Sequence, residues 1–457
     1  MNMKTIFIPF TRALLVRNIL RNQFFKKLKE QKDVRIILLF SLLENRKEVD
    51  YLKKEFSSDN VIVEFVPNNR ENKIKRLFTL LSRNLVFSPT TKLYARFGTA
   101  KVQKKSSIMN VVLHAFYTPL SKIQFLKRMV WWIETYCFRD IDYIQYFEKY
   151  KPDLVFSTAI LSNFDLAFLK IAKKRGIKTI AMPKSWDNLD KILFRFEPDV
   201  FAVQNEWMRF DAVRYQGYNK KKIEVVGFLQ FDIYRDNNAI ESRESYCVRK
   251  GFNPNLPILF IGSEGLWSKG DGEIFKQIIE ARDKGIIPAC NILIRPHFSL
   301  PYTGEYDHVK NYKHVFIDYT YRVTEFFADH WDPTEDDMKD FTNTLRHCDI
   351  SLNFASTLTL DAMCFDKPVI NIAFGLRFEN SKDITPIIYE TGFYREVINT
   401  NATEMVYSYH ELFKAINNFL KDPSWHSEGR DVLRNKLCYK VDGQSGNRLF
   451  SLIQKYL

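Results

Sequence analysis

The chain has 457 residues, 46% hydrophobic and 15% aromatic, with 68 Lys and Arg against 54 Asp and Glu, a formal charge of +14. That length exceeds one ordinary core and makes two domains the expectation. No apolar run approaches the roughly 20 residues of a membrane helix, MNMKTIFIPF lacks the long apolar run of a leader, and the cysteines are scattered without a CxxC pair, so a cytoplasmic protein with reduced thiols and no zinc site is expected.

The elements alternate from the start. Residues 4–9 read as a strand, and 11–31 as a basic helix with Leu14, Leu15, Ile19, Leu20, Phe24 and Leu28 on its apolar side. A strand at 34–39, a helix at 46–56 and a strand at 61–66 follow. Residues 70–150 read as mainly helical, and their charge is lopsided. Between Val66 and Asp140 stand 14 Lys and Arg, among them Lys73, Lys75, Arg76, Lys104, Lys105, Lys127 and Arg128, interleaved with aromatic residues, against Glu71, Glu134 and Asp140. An anionic membrane surface or an anionic glycan suits such a region, and so does an ordinary solvated helical face. Nucleic acid is not expected, because no recognition motif accompanies the charge. Asp140-Ile141-Asp142 has the spacing of a metal-binding DxD, but no strand precedes it. A capping or surface role is expected there, with no metal.

A strand at 153–156, a helix at 162–175 and a strand at 178–182 form a clear parallel unit. Another strand at 200–203, a helix at 206–216 stopped by Gly217 and a strand at 223–226 repeat it. The polar, irregular stretch 232–257 marks a domain boundary. Beyond it come strands at 258–261, 290–294, 315–317, 350–354 and 369–372. Helices are expected at 273–284, at 402–420 and at 446–456, and the acidic segment 326–341 reads as a loop leading into a helix that ends near Arg346. Repeated units of this kind predict an α/β protein of two doubly wound domains, 1–235 and 236–435, with 436–457 as a terminal helical segment. Ligands in such sheets bind beyond the carboxyl ends of strands, here in a cleft between the domains.

The candidate chemistry sits at those strand ends. Ala355-Ser356-Thr357 opens a helix after a buried strand, so its unpaired N–H groups, hydroxyls and dipole favour a phosphate. Asp361 lies one turn on, where a carboxylate can accept from ribose hydroxyls. The alternative is an ordinary N-cap and a solvated Asp. Gly262-Ser263-Glu264-Gly265 follows the first strand of the second domain, and its small residues allow close backbone approach, or form a plain turn. Arg295-Pro296-His297 ends the next strand. Arg295 can pair with phosphate or carboxylate, and His297 can donate to a phosphate or act as general acid. In the first domain, Lys184-Ser185-Trp186-Asp187-Asn188 follows a strand. Trp186 can stack on a sugar and Asp187 can serve as base toward an acceptor hydroxyl, the alternative being a cap beside a packing Trp.

Together these segments resemble GT-B glycosyltransferases of bacterial surface-polysaccharide synthesis. The matching segments are KSWDN at 184–188, VVG-x-x-QFD at 225–232, LIRPH at 293–297, and ASTLTLD at 355–361 followed by FDKPVI. The resemblance runs from about Asp153 to Phe374. It implies a metal-independent transferase with two Rossmann-like domains facing a central cleft, acting in capsule or lipopolysaccharide assembly at the cytoplasmic face of the membrane. It further implies that Gly262, Ser263, His297, Ser356, Thr357 and Asp361 surround the donor, where related sequences carry Glu at the last position, and Arg295 and Ala355 join them on the reading of the strand ends above. Acceptor binding falls to Lys184, Ser185, Trp186 and Asn188, and catalysis to Asp187 and His297. Asp187 would take the acceptor proton in an inverting reaction and orient the acceptor in a retaining one. No cofactor is expected, the nucleotide-sugar being a substrate. The other expected partners are a glycan or lipid-linked acceptor and an anionic membrane met by residues 66–140. Nucleotide-sugar 2-epimerases and teichoic acid polymerases share the fold, so an epimerase, or a non-catalytic assembly factor, is the alternative.

Overall fold

The computed structural model describes residues 3–42, 46–67, 73–97, 108–264, 270–297, 304, 306–319, 322, 324, 331–376 and 385–457. Lys104, Lys105 and Gly265 lie outside the described residues. The chain forms two compact units: Met1–Asp232 with Thr324–Asp332 and Gln444–Leu457, and Ile233–Val323 with Pro333–Gly443.

The first unit is built on strands β1 (Lys4–Phe10), β2 (Val34–Leu42), β3 (Val61–Pro67), β4 (Leu154–Ser157), β5 (Lys178–Ala181), β6 (Val200–Val203) and β7 (Ile223–Val225). All pairings are parallel, in the order β3-β2-β1-β4-β5-β6-β7. Ile6, Phe7, Ile8 and the run Ile36 to Phe40 are fully buried, which is why these strands read as continuous apolar runs rather than alternating ones. Its helices include α1 (Gln23–Lys29), α2 (Arg46–Phe56), α3 (Lys73–Arg83), α4 (Pro89–Phe97), α5 (Ile108–Ser121), α6 (Gln124–Tyr136) and α7 (Asn163–Lys174). The single helix expected over 11–31 is broken. Helical turns over residues 13–20 stop at Arg21, and Asn22, in extended backbone, starts α1 afresh by accepting from the Phe24 N–H at 2.9 Å. An Asx side chain that satisfies a new helix start competes with continuing the old one.

The second unit holds α8 (Arg243–Lys250), β8 (Ile258–Gly262), α9 (Asp271–Asp283), β9 (Asn291–Arg295), β10 (Val315–Ile317), α10 (Glu335–His347), β11 (Ile350–Asn353), α11 (Leu358–Met363), β12 (Val369–Ile372), β13 (Glu404–Val406) and α12 (Tyr409–Lys421). Its sheet is also parallel, in the order β10-β9-β8-β11-β12-β13. Two expectations need correction. The polar stretch 232–257 contains a helix, α8, capped by Ser242, which accepts from the Ser245 N–H at 3.2 Å. The start of the expected helix 402–420 is strand β13, paired with β12, and Ser408 caps α12 behind it. Three residues are too few to show a period, so only the neighbouring strand reveals them.

The last helix, α13 (Ser445–Tyr456), belongs to the first unit. Leu449, Leu452 and Ile453 enter the core around β1 and α1. The Asp232 carboxylate accepts from the Ser445 N–H at 3.0 Å and the Gly446 N–H at 2.7 Å, tying the helix start. In both sheets the chain lays two strands to one side of its first strand, then crosses to the other side. The switch points are therefore the β1–β4 and β8–β11 pairs, where doubly wound sheets open a crevice at their carboxyl ends.

Candidate functional site

In the second unit the segments after β8, β9 and β11 are neighbours, because those strands are adjacent in the sheet. They carry Ser263 and Glu264, His297, and Ala355 to Thr357. A Cβ added to Gly262 would lie 2.5 Å from Leu358 Cδ2, so glycine here lets the start of α11 close onto the end of β8. Ser263 is buried, and its hydroxyl donates to Asp271 at 2.8 Å and lies 2.7 Å from the Tyr306 hydroxyl. Its side chain thus braces the loop, and the Glu264 N–H also donates to Asp271, at 3.1 Å.

The helix expected to open at Ala355 starts at Leu358 and is six residues long. Ser356 Oγ accepts from the Leu358 N–H at 3.2 Å, and Thr357 makes no side-chain cap. So short a helix has a weak dipole, and one of its free N–H groups is already taken. Asp361 accepts from the buried Tyr234 hydroxyl at 2.7 Å. Arg295 is ion-paired to Asp318 at 3.1 Å and lies 4.4 Å over the Phe341 ring, so its charge is already matched within the fold. His297 is half-buried, and desolvation of its ring lowers its pKa to about 4. It is a neutral imidazole at pH 7, able to donate from one nitrogen and accept at the other.

Residues given no role from the sequence complete this corner. Burial, reinforced by the nearby Asp271 charge, pushes Glu264 up to about 8, so its carboxyl holds a proton at neutral pH. Asn353 and Asn371 face each other across β11 and β12. Asn353 Oδ1 accepts from Thr359 Oγ1 at 2.9 Å and from Asn371 Nδ2 at 3.0 Å, and the Tyr394 hydroxyl lies 2.8 Å from Thr359 Oγ1. Asn353 Nδ2 and Asn371 Oδ1 have no hydrogen-bond partner among the described residues. The signal was legible: an amide at the carboxyl end of the buried strand ISLN, and its match in the next strand's VINI.

In the first unit the loop after β5 carries the expected acceptor residues. Trp186 is 2% exposed and lies against Trp207, ring centroids 6.2 Å apart, so its indole packs in the core and is not a platform for a sugar. Asn188 closes the loop, accepting from the Ser185 N–H at 3.1 Å and donating to Asp187 at 3.1 Å. Burial would raise the Asp187 pKa, but the charge and hydrogen bond of Lys191, with Ser185 and Lys184, outweigh it and hold the carboxylate below its ordinary value. That makes Asp187 a weak base, though its side chain stays partly exposed. Asp190 is more basic but enclosed. It is 2% exposed, accepts from Thr90 Oγ1, and keeps Oδ1 without a partner among the described residues. Burial raises its pKa to about 6, only partly opposed by Thr90 and Lys191.

The β1–β4 switch point adds a third carboxyl. Asp165, in the first turn of α7, accepts from Ser157 Oγ at 2.9 Å and the Ala159 N–H at 3.1 Å, while Oδ2 has no partner among the described residues. Burial raises its pKa to about 7 against the donors' opposite pull. Asp140 stands at the N-cap position of the short turn Ile141–Tyr143 but makes no side-chain cap bond, its carboxylate being engaged elsewhere. It pairs with Lys75 at 3.1 Å and with the fully buried Lys170 at 2.6 Å, because the helical layer closes over it.

No family model matches the chain, and no curated protein does. Among solved structures it is similar to a UDP-GlcNAc 2-epimerase from Neisseria meningitidis bound to UDP-GlcNAc, at TM-score 0.51 and 12% identity over 99% of this chain and 100% of that one. It is similar to the S. aureus MnaA–UDP co-structure, at TM-score 0.53 and 12% identity over 99% and 97%. A glycosyltransferase from Rickettsia africae matches at TM-score 0.50 and 12% identity over 100% of both chains. The chain has the fold these enzymes share, GT-B, with two Rossmann-like domains.

Proposed function

We propose that the protein is a glycosyltransferase that moves a sugar from a nucleotide-sugar donor to a glycan or lipid-linked acceptor. Its setting is capsule or lipopolysaccharide assembly at the cytoplasmic face of the membrane. The observation that carries this reading is the β8–β11 switch point, where Gly262 to Glu264, His297 and Phe354 to Thr357 lie at the carboxyl ends of three adjacent strands.

In this reading the backbone after β8 and β11 approaches the donor diphosphate, and His297 donates an N–H to it. The phosphate charge raises the imidazole pKa from its low resting value, so the ring can pass a proton to the nucleotide as the sugar C–O bond breaks. Asp187, the partly exposed carboxylate of the loop after β5, accepts the proton of the acceptor hydroxyl as the new C–O bond forms. A metal ion is not required for these steps.

A second reading, a nucleotide-sugar epimerase, is favoured by one observation. Glu264 and His297, an acid and a base by their displaced pKa values, follow the paired strands β8 and β9. One experiment separates the two. Purified protein is screened by thermal shift against UDP, CMP, GDP, dTDP and CDP, with and without Mg²⁺, alongside His297→Ala. A ligand at 100 times its Kd adds about 2.7 kcal/mol. The matching nucleotide-sugar is then incubated alone. One stabilising nucleotide, a weakened response in the variant, and a donor that stays intact without acceptor support the transferase. Epimerisation without acceptor supports the second reading, and a folded protein that no nucleotide stabilises refutes both.

A further inference from the structure

The helical layer of the first unit has an outer face with large apolar side chains exposed among the described residues. On its inner side α6 is pinned: Lys127 Nζ donates to the Tyr215 carbonyl at 2.6 Å and Trp131 Nε1 to the Phe194 carbonyl at 2.8 Å, and Glu134 pairs with Lys170 and Arg195. The inner sides of α3, α5 and α6 meet in one apolar cluster, with Phe78, Tyr117, Leu126 and Val130 among its members. The helices therefore cannot roll to hide their other sides. On α6 the outward positions are Phe125 (71% exposed), Met129, Trp132 (58%) and Tyr136, spaced four, three and four residues apart as one continuous stripe. On α3 they are Ile74 (73%), Leu77 and Leu81, again at helical spacing.

Charge selects what covers this face. Between Lys73 and Arg139 the sequence holds one acidic residue, Glu134, and it is fully buried. Arg76, Arg83, Lys122 and Arg128 are exposed beside the stripes. No described residue of this stretch thus offers an exposed carboxylate. A second copy of the face would set like charges against each other, whereas anionic headgroups above an apolar layer match both components. Trp and Tyr are the residues whose rings settle at that boundary.

We infer that the outer faces of α3 and α6 form a docking surface for an anionic lipid bilayer, with Phe125, Met129, Trp132, Ile74, Leu77 and Leu81 entering the headgroup layer and the arginines holding its phosphates. This names the surface that a membrane-bound acceptor would require, and it stands on exposure and charge whichever reaction the protein performs. Among the described residues no helix is long and apolar enough to cross a membrane.

The test is co-sedimentation with vesicles of phosphatidylcholine alone or with 30% phosphatidylglycerol, for the wild type, Phe125→Ser/Trp132→Ser and Arg76→Glu/Arg128→Glu. The nucleotide thermal shift run on the same preparations reports on folding and on the donor site separately. Expected are binding to the anionic vesicles only, loss in high salt, and a drop of about tenfold or more in both double variants, whose thermal midpoints stay unchanged. A folded wild type that stays in the supernatant overturns the assignment, as does a variant that binds like the wild type. So does a dimer in sedimentation equilibrium that either variant disperses, which would make the face a contact between copies.

Discussion

Asp190 and Asp187 stand three residues apart in one loop and differ in what surrounds them. Lys191 neutralises Asp187, while Asp190 is buried with one oxygen unpartnered among the described residues. Asp187→Asn should lower kcat by about 10²- to 10⁴-fold, with nucleotide binding unchanged. Asp190→Asn should cost less, and the reverse order would move the base to the buried Asp190. Asp165 makes a prediction about stability. Its folded pKa of about 7 lies above the ordinary 3.8, so the folded state binds more protons between those values. Stability from this group is full below about pH 4 and falls as pH rises to 7. Asp165→Asn keeps an oxygen for Ser157 and Ala159, so relative to wild type it should gain up to about 4 kcal/mol from pH 4 to pH 8, read by denaturant unfolding at each pH. Gly262→Val drives a side chain into Leu358 and should cost about 1–3 kcal/mol, with weakened nucleotide binding.

At the next level, strands were the easier elements to read. The fully buried runs of β1, β2, β8 and β9 announce themselves, and Gly217 marks its helix end with φ 80°. The failures were local competitions. Asn22 interrupts what looks like one amphipathic helix, and Asn22→Ala should cost about 1 kcal/mol of stability, measured by chemical unfolding, by removing the cap of α1. Ser356 and Thr357 looked like the mouth of a helix with a strong dipole. The helix that follows is a turn and a half, because Asp366, at φ 54°, and Pro368 end it to start β12. The motif was legible and its electrostatic strength was not, since that depends on the length of the element behind it. Trp186 shows the same limit. An indole in a polar loop reads as a sugar platform until Trp207 is found beside it.

Across the whole chain, the first unit is completed by distant segments. Thr324–Asp332 supplies Asp332, buried against Arg21, and Gln444–Leu457 supplies α13. A chain ending at residue 443 would lose three apolar side chains from that core. At roughly 1.5–3 kcal/mol each, the first unit should be destabilised by about 5 kcal/mol or more, seen as faster hydrogen exchange in β1 and β2. The amino-acid sequence by itself determined the strand–helix alternation, the parallel class and the strand ends that carry polar residues, because period and burial are local properties of a chain. Only the tertiary structure decided which ends are neighbours, which carboxyls are stripped of water, and which cation is already paired. Those follow from strand order and from segments hundreds of residues apart, and no local pattern encodes them.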